Sequence, residues 1–547
     1  MWQHNYSILG GNIFLTAVVA AIPIFFLFWA LAIKRMKGYL AGIFTLLAAI
    51  IVAVVLYKMP FGVAISSAFL GIANGLFPLG WIVITAVFLF NLVVASGKFE
   101  VIKSSISSIS PDRRLQALLI AFCFSAFLEA VAGQGVPVAV AAAMLIGLGF
   151  KPMTAALVCL IANVPPVPFG PVGVPTITIA KVGEIDLAPI AQAIGREMVI
   201  FSFIIPIFML VVMVGWKKTK EVLPAAFVAG GSFGLVFFLV SNFVGAELTS
   251  ILASIVSLVC LVVFLKFWKP KTIWRFDHDS QTNNIKDTQY SGGEILKAWS
   301  PFLIVMIVMG TWASTPFKNL VANDLKWFIN IKEWPGLHGL VYRVAPIVKE
   351  PAVYAASYKF DYFGAAGTAL LISSVISIFI LKVKLLKAVQ VFGKTCKQLV
   401  FSVITIASVI GFAYVANYSG MSYSYGLAFA ATGSLFVVFS PVIGGMGTFL
   451  TGSVTSSSSL FGKLQVVSAQ QIGLNPVLTV SGNLLGACMG KLISPQSIAV
   501  AAASTGLVGK ESEIFRSTFK YFLILLGFVV IVILIFAYIL TGIIPTL

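Results

Sequence analysis

The chain has 547 residues, 59% of them hydrophobic and only 10% charged, with a mean hydropathy of +1.04. That balance excludes a soluble globular protein and defines a polytopic membrane protein. A net charge of +18 would speak for nucleic acid in a soluble chain, but here Lys and Arg fall in short clusters between apolar runs, where they set topology, so the expected partner is the lipid bilayer and not nucleic acid.

Residues 11–33 form the first apolar run, longer than a signal-peptide core and preceded by no basic residue, and read as a retained span. Lys34, Arg35 and Lys37 follow, which places the N-terminus outside and this loop in the cytoplasm. Residues 39–57 return outward, 61–77 read as an interfacial or short helix, and 81–96 cross inward to Lys98, Lys103, Arg113 and Arg114.

The next stretch, 124–180, is apolar enough for a membrane yet interrupted twice. Gly133, Gly135 and Pro137 break it early, and Pro165, Pro166, Pro168, Gly170, Pro171, Gly173 and Pro175 break it late. Broken helices at membrane depth persist only where protein or a watery cavity satisfies the freed backbone groups, so a binding site is expected there.

Beyond it, 198–216 runs inward to Lys217, Lys218 and Lys220, 223–244 goes out and 248–267 comes back. The polar segment 269–293 reads as a cytoplasmic linker between two transmembrane halves, 1–268 and 294–547. Residues 295–313 exit to an extracytoplasmic loop, 314–359, expected to hold short helices. The run 363–381 returns to Lys382, Lys384 and Lys387, while 399–417 and the last span, 521–541, cross outward and leave the C-terminus outside.

Interrupted apolar sequence recurs at 447–501. Adding 320 to Asn163, Gly170 and Pro175 gives Asn483, Gly490 and Pro495, and Gly149 and Pro152 meet Gly473 and Pro476 at a shift of 324. The matched spans 81–96 and 399–417 cross in opposite directions by their flanking charges. The expected fold is therefore an all-α polytopic membrane protein of two inverted-topology repeats with broken or re-entrant helices and about twelve to fourteen transmembrane segments, the build of an alternating-access transporter.

From Tyr362 to Lys510 there is no Asp or Glu, and other first-half acids such as Glu184, Glu197 and Glu221 read as span-end residues. Glu129, at the first break, alone reads as deep; ionised there it costs a few kcal/mol, which suits a proton carrier, the plainer alternative being an acid that bonds the broken backbone. Thr455, Ser456, Ser457 and Ser458 at the second-half break offer hydroxyls beside a half-helix start, a setting for a small carboxylate. Lys491 would add Coulombic attraction or else snorkel to the interface, with Gln496 and Ser497 as neutral donors. Asn163 and Asn483 could bind substrate or simply cap the breaks, and Gly133 and Gly135 allow close backbone approach or plain helix packing. Gln134, between them, faces the same break. Cys123, Cys159, Cys260, Cys396 and Cys488 form no CxxC pair, His4, His278 and His338 lie outside the spans, and no nucleotide loop or catalytic triad occurs, so neither enzyme activity, metal nor cofactor is expected.

Long stretches then resemble one family. WQHNY at 2–6, YKMP at 57–60, SISSISPDRRLQ at 105–116, FCFSAFLE at 122–129, LIGLGFKP at 145–152, SNFVGAEL at 241–248, AQQIG at 469–473, KLISPQSIA at 491–499 and GLVGKESE at 506–513 are similar to the bacterial lactate permease family. The resemblance implies proton symport of a small 2-hydroxymonocarboxylate, L-lactate and in several members glycolate, across the cytoplasmic inner membrane. It departs at the breaks: Gln134 lies in a first break that usually reads close to EGAAGFGAP, and Val454 and Ser458 stand where the family pattern GSDTSSN has aspartate and asparagine. The Val454 difference keeps a Na⁺-coupled or differently selective permease as the rival within transport. A lactate-binding subunit or sensor that moves nothing is the rival from another class.

Overall fold

A computed structural model describes residues 2–133, 135–276 and 290–546. Helix α1 (Ile13–Ala20) starts on Asn12, whose side chain accepts from the Leu15 N–H, and meets α2 (Ile22–Phe28) at a 43° bend where Pro23 removes a backbone donor. The first expected span is thus a bent pair. Helix α3 (Gly38–Val55) crosses next, and α4 (Phe61–Asn74) and α5 (Trp81–Ala95) form one long rod kinked at Phe77, whose extended backbone precedes Pro78. Of the interfacial or short helix expected at 61–77, α4 is the short helix: Phe61 and Phe69 are exposed, while its inner face packs so closely that a Cβ on Gly71 would come within 2.7 Å of the Gly411 Cα.

Helices α6 (Lys98–Ser107) and α7 (Arg113–Ala117) lead into the first broken region, formed by α8 (Ser125–Val131), α9 (Val136–Gly147), α10 (Pro152–Ala162) and α11 (Val174–Gly183). Three long helices follow, α12 (Leu187–Lys220), α13 (Leu223–Phe243) and α14 (Ala246–Phe267). Of the expected linker, 277–289 lies outside the described residues, as does His278.

After α15 (Gly292–Ala313) and the short α16 (Thr315–Asn319), the loop holds strands as well as helix, contrary to the sequence reading. With β1 at Trp2–Gln3, β2 at Ile329–Ile331, β3 at Val341–Arg343, β4 at Ala352–Val353 and β5 at Tyr358–Phe360, one sheet has the order β1-β3-β4 and another pairs β2 with β5. Short strands of this kind carry no long alternating run, so pairing partners and not periodicity decide them. Helices α17 (Ala366–Ile380), α18 (Leu385–Ser419) and α19 (Met421–Ala430) precede the second broken region, α20 (Phe436–Thr451), α21 (Val454–Gln471), α22 (Pro476–Gly490) and α23 (Pro495–Thr505), and α24 (Glu511–Tyr538) ends the chain.

Among the described residues eleven helices are long and apolar enough to cross a membrane, twelve with the bent first pair, at the lower edge of the expected number. Burial separates them. The most apolar window of 113–131 is entirely buried and that of 476–505 is 94% buried, against 39% for α3 and 33% for α24, so the broken regions are the interior of the molecule. Leu47, Ile51, Leu523 and Ile524 on the outer helices are exposed, as lipid contact requires. Inside, α20 and α22 cross so closely that a Cβ on Gly486 would lie 1.8 Å from the Pro441 carbonyl oxygen.

One charged cluster outside the broken regions ties three segments together. Arg114, fully buried, donates to Asp112 at 2.7 Å, to Glu221 at 2.8 Å and to the carbonyls of Lys218 and Thr272 at 2.8 Å each, while the Trp274 N–H donates to Asp112. The start of the linker, the end of α12 and the start of α7 are thereby joined. Removing one partner of such a pair strands the other without compensation. Arg114→Ala is expected to destabilise the protein by about 3–5 kcal/mol, read as a fall in the thermal unfolding midpoint in detergent; an unchanged midpoint would show that the cluster does not hold these segments.

Candidate functional site

The local sequence starts four half-helices at one place. Gly135 (φ +87) and Gly173 (φ +79) adopt left-handed backbone immediately before α9 and α11, and Gly452 (φ +72) does so two residues before α21. Pro137, Pro175 and Pro495 lie in the first turns of α9, α11 and α23, where a missing N–H carries no penalty. Ser453 caps α21 by accepting from the Ser456 N–H, and Ser494 caps α23 by accepting from the Ser497 N–H. The sequence-specified breaks are therefore real and local in origin.

Tertiary packing then brings them together. Gly170 lies against Glu129, so that a Cβ there would be 3.0 Å from the Glu129 Cγ, and Gly452 lies closer still to Gln496. Across the halves, Gly135 abuts Val500, α9 packs on α23 and α11 on α21. Between them opens a cavity of about 860 Å³, lined by Glu129, Gly135, Gly170, Val174 and Pro175 from the first half and by Ser453, Val454, Thr455, Ser456, Lys491, Gln496 and Ser497 from the second. Its rim includes the exposed Lys37 and Gly38.

Glu129 is 3% exposed and is not alone. Lys491 Nζ donates to its Oε1 at 2.7 Å and Asn163 Nδ2 donates to its Oε2 at 2.9 Å. Lys491, half-expected at the lipid interface, is instead the counter-charge of the acid at the break. Asn163 touches the acid from behind, beside Cys488 and Ser497. The α21 and α23 N-termini, each carrying first-turn N–H groups without helical acceptors, face the same space as this pair. Hydroxyls, an ammonium and helix N-termini make the second-half wall electropositive, a setting for an anion.

Not every candidate arrives there. Gly133 is packed under Pro171, and Gln134 lies outside the described residues. Ser457 donates to the Gly444 carbonyl at 3.0 Å and Asn483 to the Ser440 carbonyl at 3.3 Å, both facing α20, while Ser458 is buried with an unpaired hydroxyl and does not line the cavity. For Ser457 the helical turn decides this: Thr455 and Ser456 begin α21 at the cavity, and the next position rotates away.

Two residues were missed. Glu197, read as a span-end acid, is fully buried in α12, with the Ser481 hydroxyl donating to Oε1 at 2.7 Å and Oε2 unpaired. Helix α12 begins eleven residues before the apolar run read from sequence, so Glu197 is inside it. Lys463, an isolated lysine in α21, pairs with Glu184 at 2.7 Å. Its sole signal was a cation in an otherwise uncharged helix.

With the geometry in place, comparison with known proteins is informative. A family model described as L-lactate permease matches residues 16–540. The chain is 47% identical to the L-lactate permease of Salmonella typhi over all of both chains, and 46% identical to the glycolate permease GlcA of Escherichia coli over 99% of each. Among solved structures, it overlays Neisseria gonorrhoeae MtrF with a TM-score of 0.45 and 12% identity, over 84% of this chain and 81% of that one. Matched end to end at this identity, the chain belongs to the L-lactate permease family, whose members are transporters and not enzymes.

Proposed function

We propose that this protein imports a small 2-hydroxymonocarboxylate, lactate or glycolate, together with a proton. The observation that carries the reading is the Glu129–Lys491 pair at the meeting point of the four half-helices. Empty, the pair is neutral. A substrate carboxylate that takes Lys491 leaves Glu129 without its counter-ion, and two carboxylates beside one ammonium in a low-dielectric cavity repel strongly. A proton on Glu129 restores neutrality, so one substrate and one proton bind together and leave together. The half-loaded states are charged and move poorly, which is the condition for coupling.

Thr455, Ser456, Gln496 and Ser497 supply donors for the carboxylate and 2-hydroxyl at the α21 and α23 N-termini. Val454 at the first position of α21 places no negative charge there, and the Lys491 ammonium disfavours a Na⁺ ion beside Glu129, so protons fit this wall better than sodium.

The two halves, 1–268 and 294–547, each contribute two broken helix pairs in the same order, which supports inverted repeats rocking about the cavity. β1 pairs with β3, and Asn475 beyond α21 donates to the Pro545 carbonyl, consistent with both termini on the face of the 314–359 loop. The basic residues Lys34, Arg35 and Lys37 support a cytoplasmic position for the opposite face in a bacterial inner membrane, and the cavity rim at Lys37 then supports an inward-open form.

In proteoliposomes, Glu129→Gln is expected to abolish accumulation against a gradient while substrate counterflow continues; concentrative uptake by the variant would remove Glu129 from coupling. Lys491→Ala should raise the apparent KM for lactate roughly tenfold or more, and an unchanged KM would exclude it from substrate binding. Uptake driven by a pH gradient should be the same in Na⁺ and in choline medium, whereas dependence on Na⁺ would establish the sodium-coupled alternative.

A further inference from the structure

Helices α11 and α21 start side by side at the cavity and run away from it together, about 15 Å over ten residues. At the far end of α11, level with the middle of α21, a second lysine–glutamate pair joins the halves, and the proposed coupling does not use it. Glu184, in left-handed backbone at the C-terminus of α11, holds Lys463 of α21 at 2.7 Å. Lys463 is 6% exposed and also lies 3.4 Å from the Gly183 carbonyl and 5.2 Å from the Tyr423 ring centre.

The 314–359 loop completes the cluster. Tyr354 donates its hydroxyl to Glu184 Oε1, and the Arg343 guanidinium lies over the Tyr354 ring at 4.9 Å. His4 packs edge-on against Tyr354 and Tyr6, and its Nε2 is 2.9 Å from the Tyr418 carbonyl. Burial lowers the His4 pKa to about 4, so it is neutral at physiological pH. The cluster then counts two cations, Lys463 and Arg343, against one carboxylate. Arg343 Nε is buried without a hydrogen-bond partner, and the Tyr423 hydroxyl lies against both cations, Arg343 and Lys463. The unpaired Arg343 Nε and the surplus positive charge both call for an acceptor that carries negative charge.

We infer that this cluster is a second site for a small monocarboxylate, at the outer end of the path, and that Glu184 occupies it in the inward-open form. An incoming carboxylate takes Lys463, Arg343 and the Tyr423 hydroxyl from the outside, releases Glu184, and unties α11 from α21. The two cross-half pairs then act in series, Glu184–Lys463 yielding to substrate at the outer end and Glu129–Lys491 at the cavity. This inference rests on the transport reading above.

Initial rates of lactate transport in right-side-out and inside-out vesicles test it. Arg343→Gln is expected to raise KM several-fold, up to roughly tenfold, from the outer face alone, with KM from the inner face unchanged. Glu184→Gln, which removes the competing charge and keeps the side-chain shape, should lower the outer KM. A merely structural clasp would instead lower Vmax from both faces and leave KM alone in both variants, and that result, or no change at all, would overturn the inference. Absence of lactate counterflow in the wild-type chain would overturn the transport reading and this inference with it, a result distinguishable from a defect confined to the variants.

Discussion

The contact on which the rest of this structure depends is the 2.7 Å ion pair between Glu129 and Lys491. Each residue belongs to a broken helix of a different half, and neither charge is tolerable at that depth without the other. The pair closes the first half onto the second, and in the proposed transport reading it is the place where a negatively charged ligand competes. Because the pair faces a cavity and not solid packing, the competition is open to a small molecule.

Helix interruptions supply the remaining conditions. A continuous helix presents no free N–H groups to a ligand, whereas four half-helix starts around one cavity present several, with their partial positive charges pointing inward. Glycines with left-handed backbone make the turns, and prolines and serines make the helix starts. The cavity is electropositive on the second-half side because those residues lie there with Lys491, and Val454 adds no countering charge.

Buried polarity elsewhere follows the same rule with different results. Arg114 is saturated by two carboxylates and two carbonyls and is a fixed clasp. Glu197 has a single hydroxyl donor, and the Glu184–Lys463 cluster keeps an unused donor in Arg343 Nε. Saturation distinguishes a structural charge from one with capacity left for a ligand.

Composition, the Gly and Pro interruptions and the basic clusters determined the membrane class, the order of spans and the positions of both breaks, because backbone chemistry and charge act locally. Glu129, Thr455, Ser456, Gln496 and Ser497 were picked out on the same grounds, and they line one cavity. Tertiary structure alone decided that Lys491 meets Glu129, that Asn483, Ser457 and Ser458 turn into packing, that Glu197 is interior, and that Trp2–Gln3 joins the 314–359 loop as a strand. Those outcomes depend on which distant helix faces which. Ion pairs over hundreds of residues, and the lengthening of α12 beyond its apolar run, are settled by neighbours that no local pattern names.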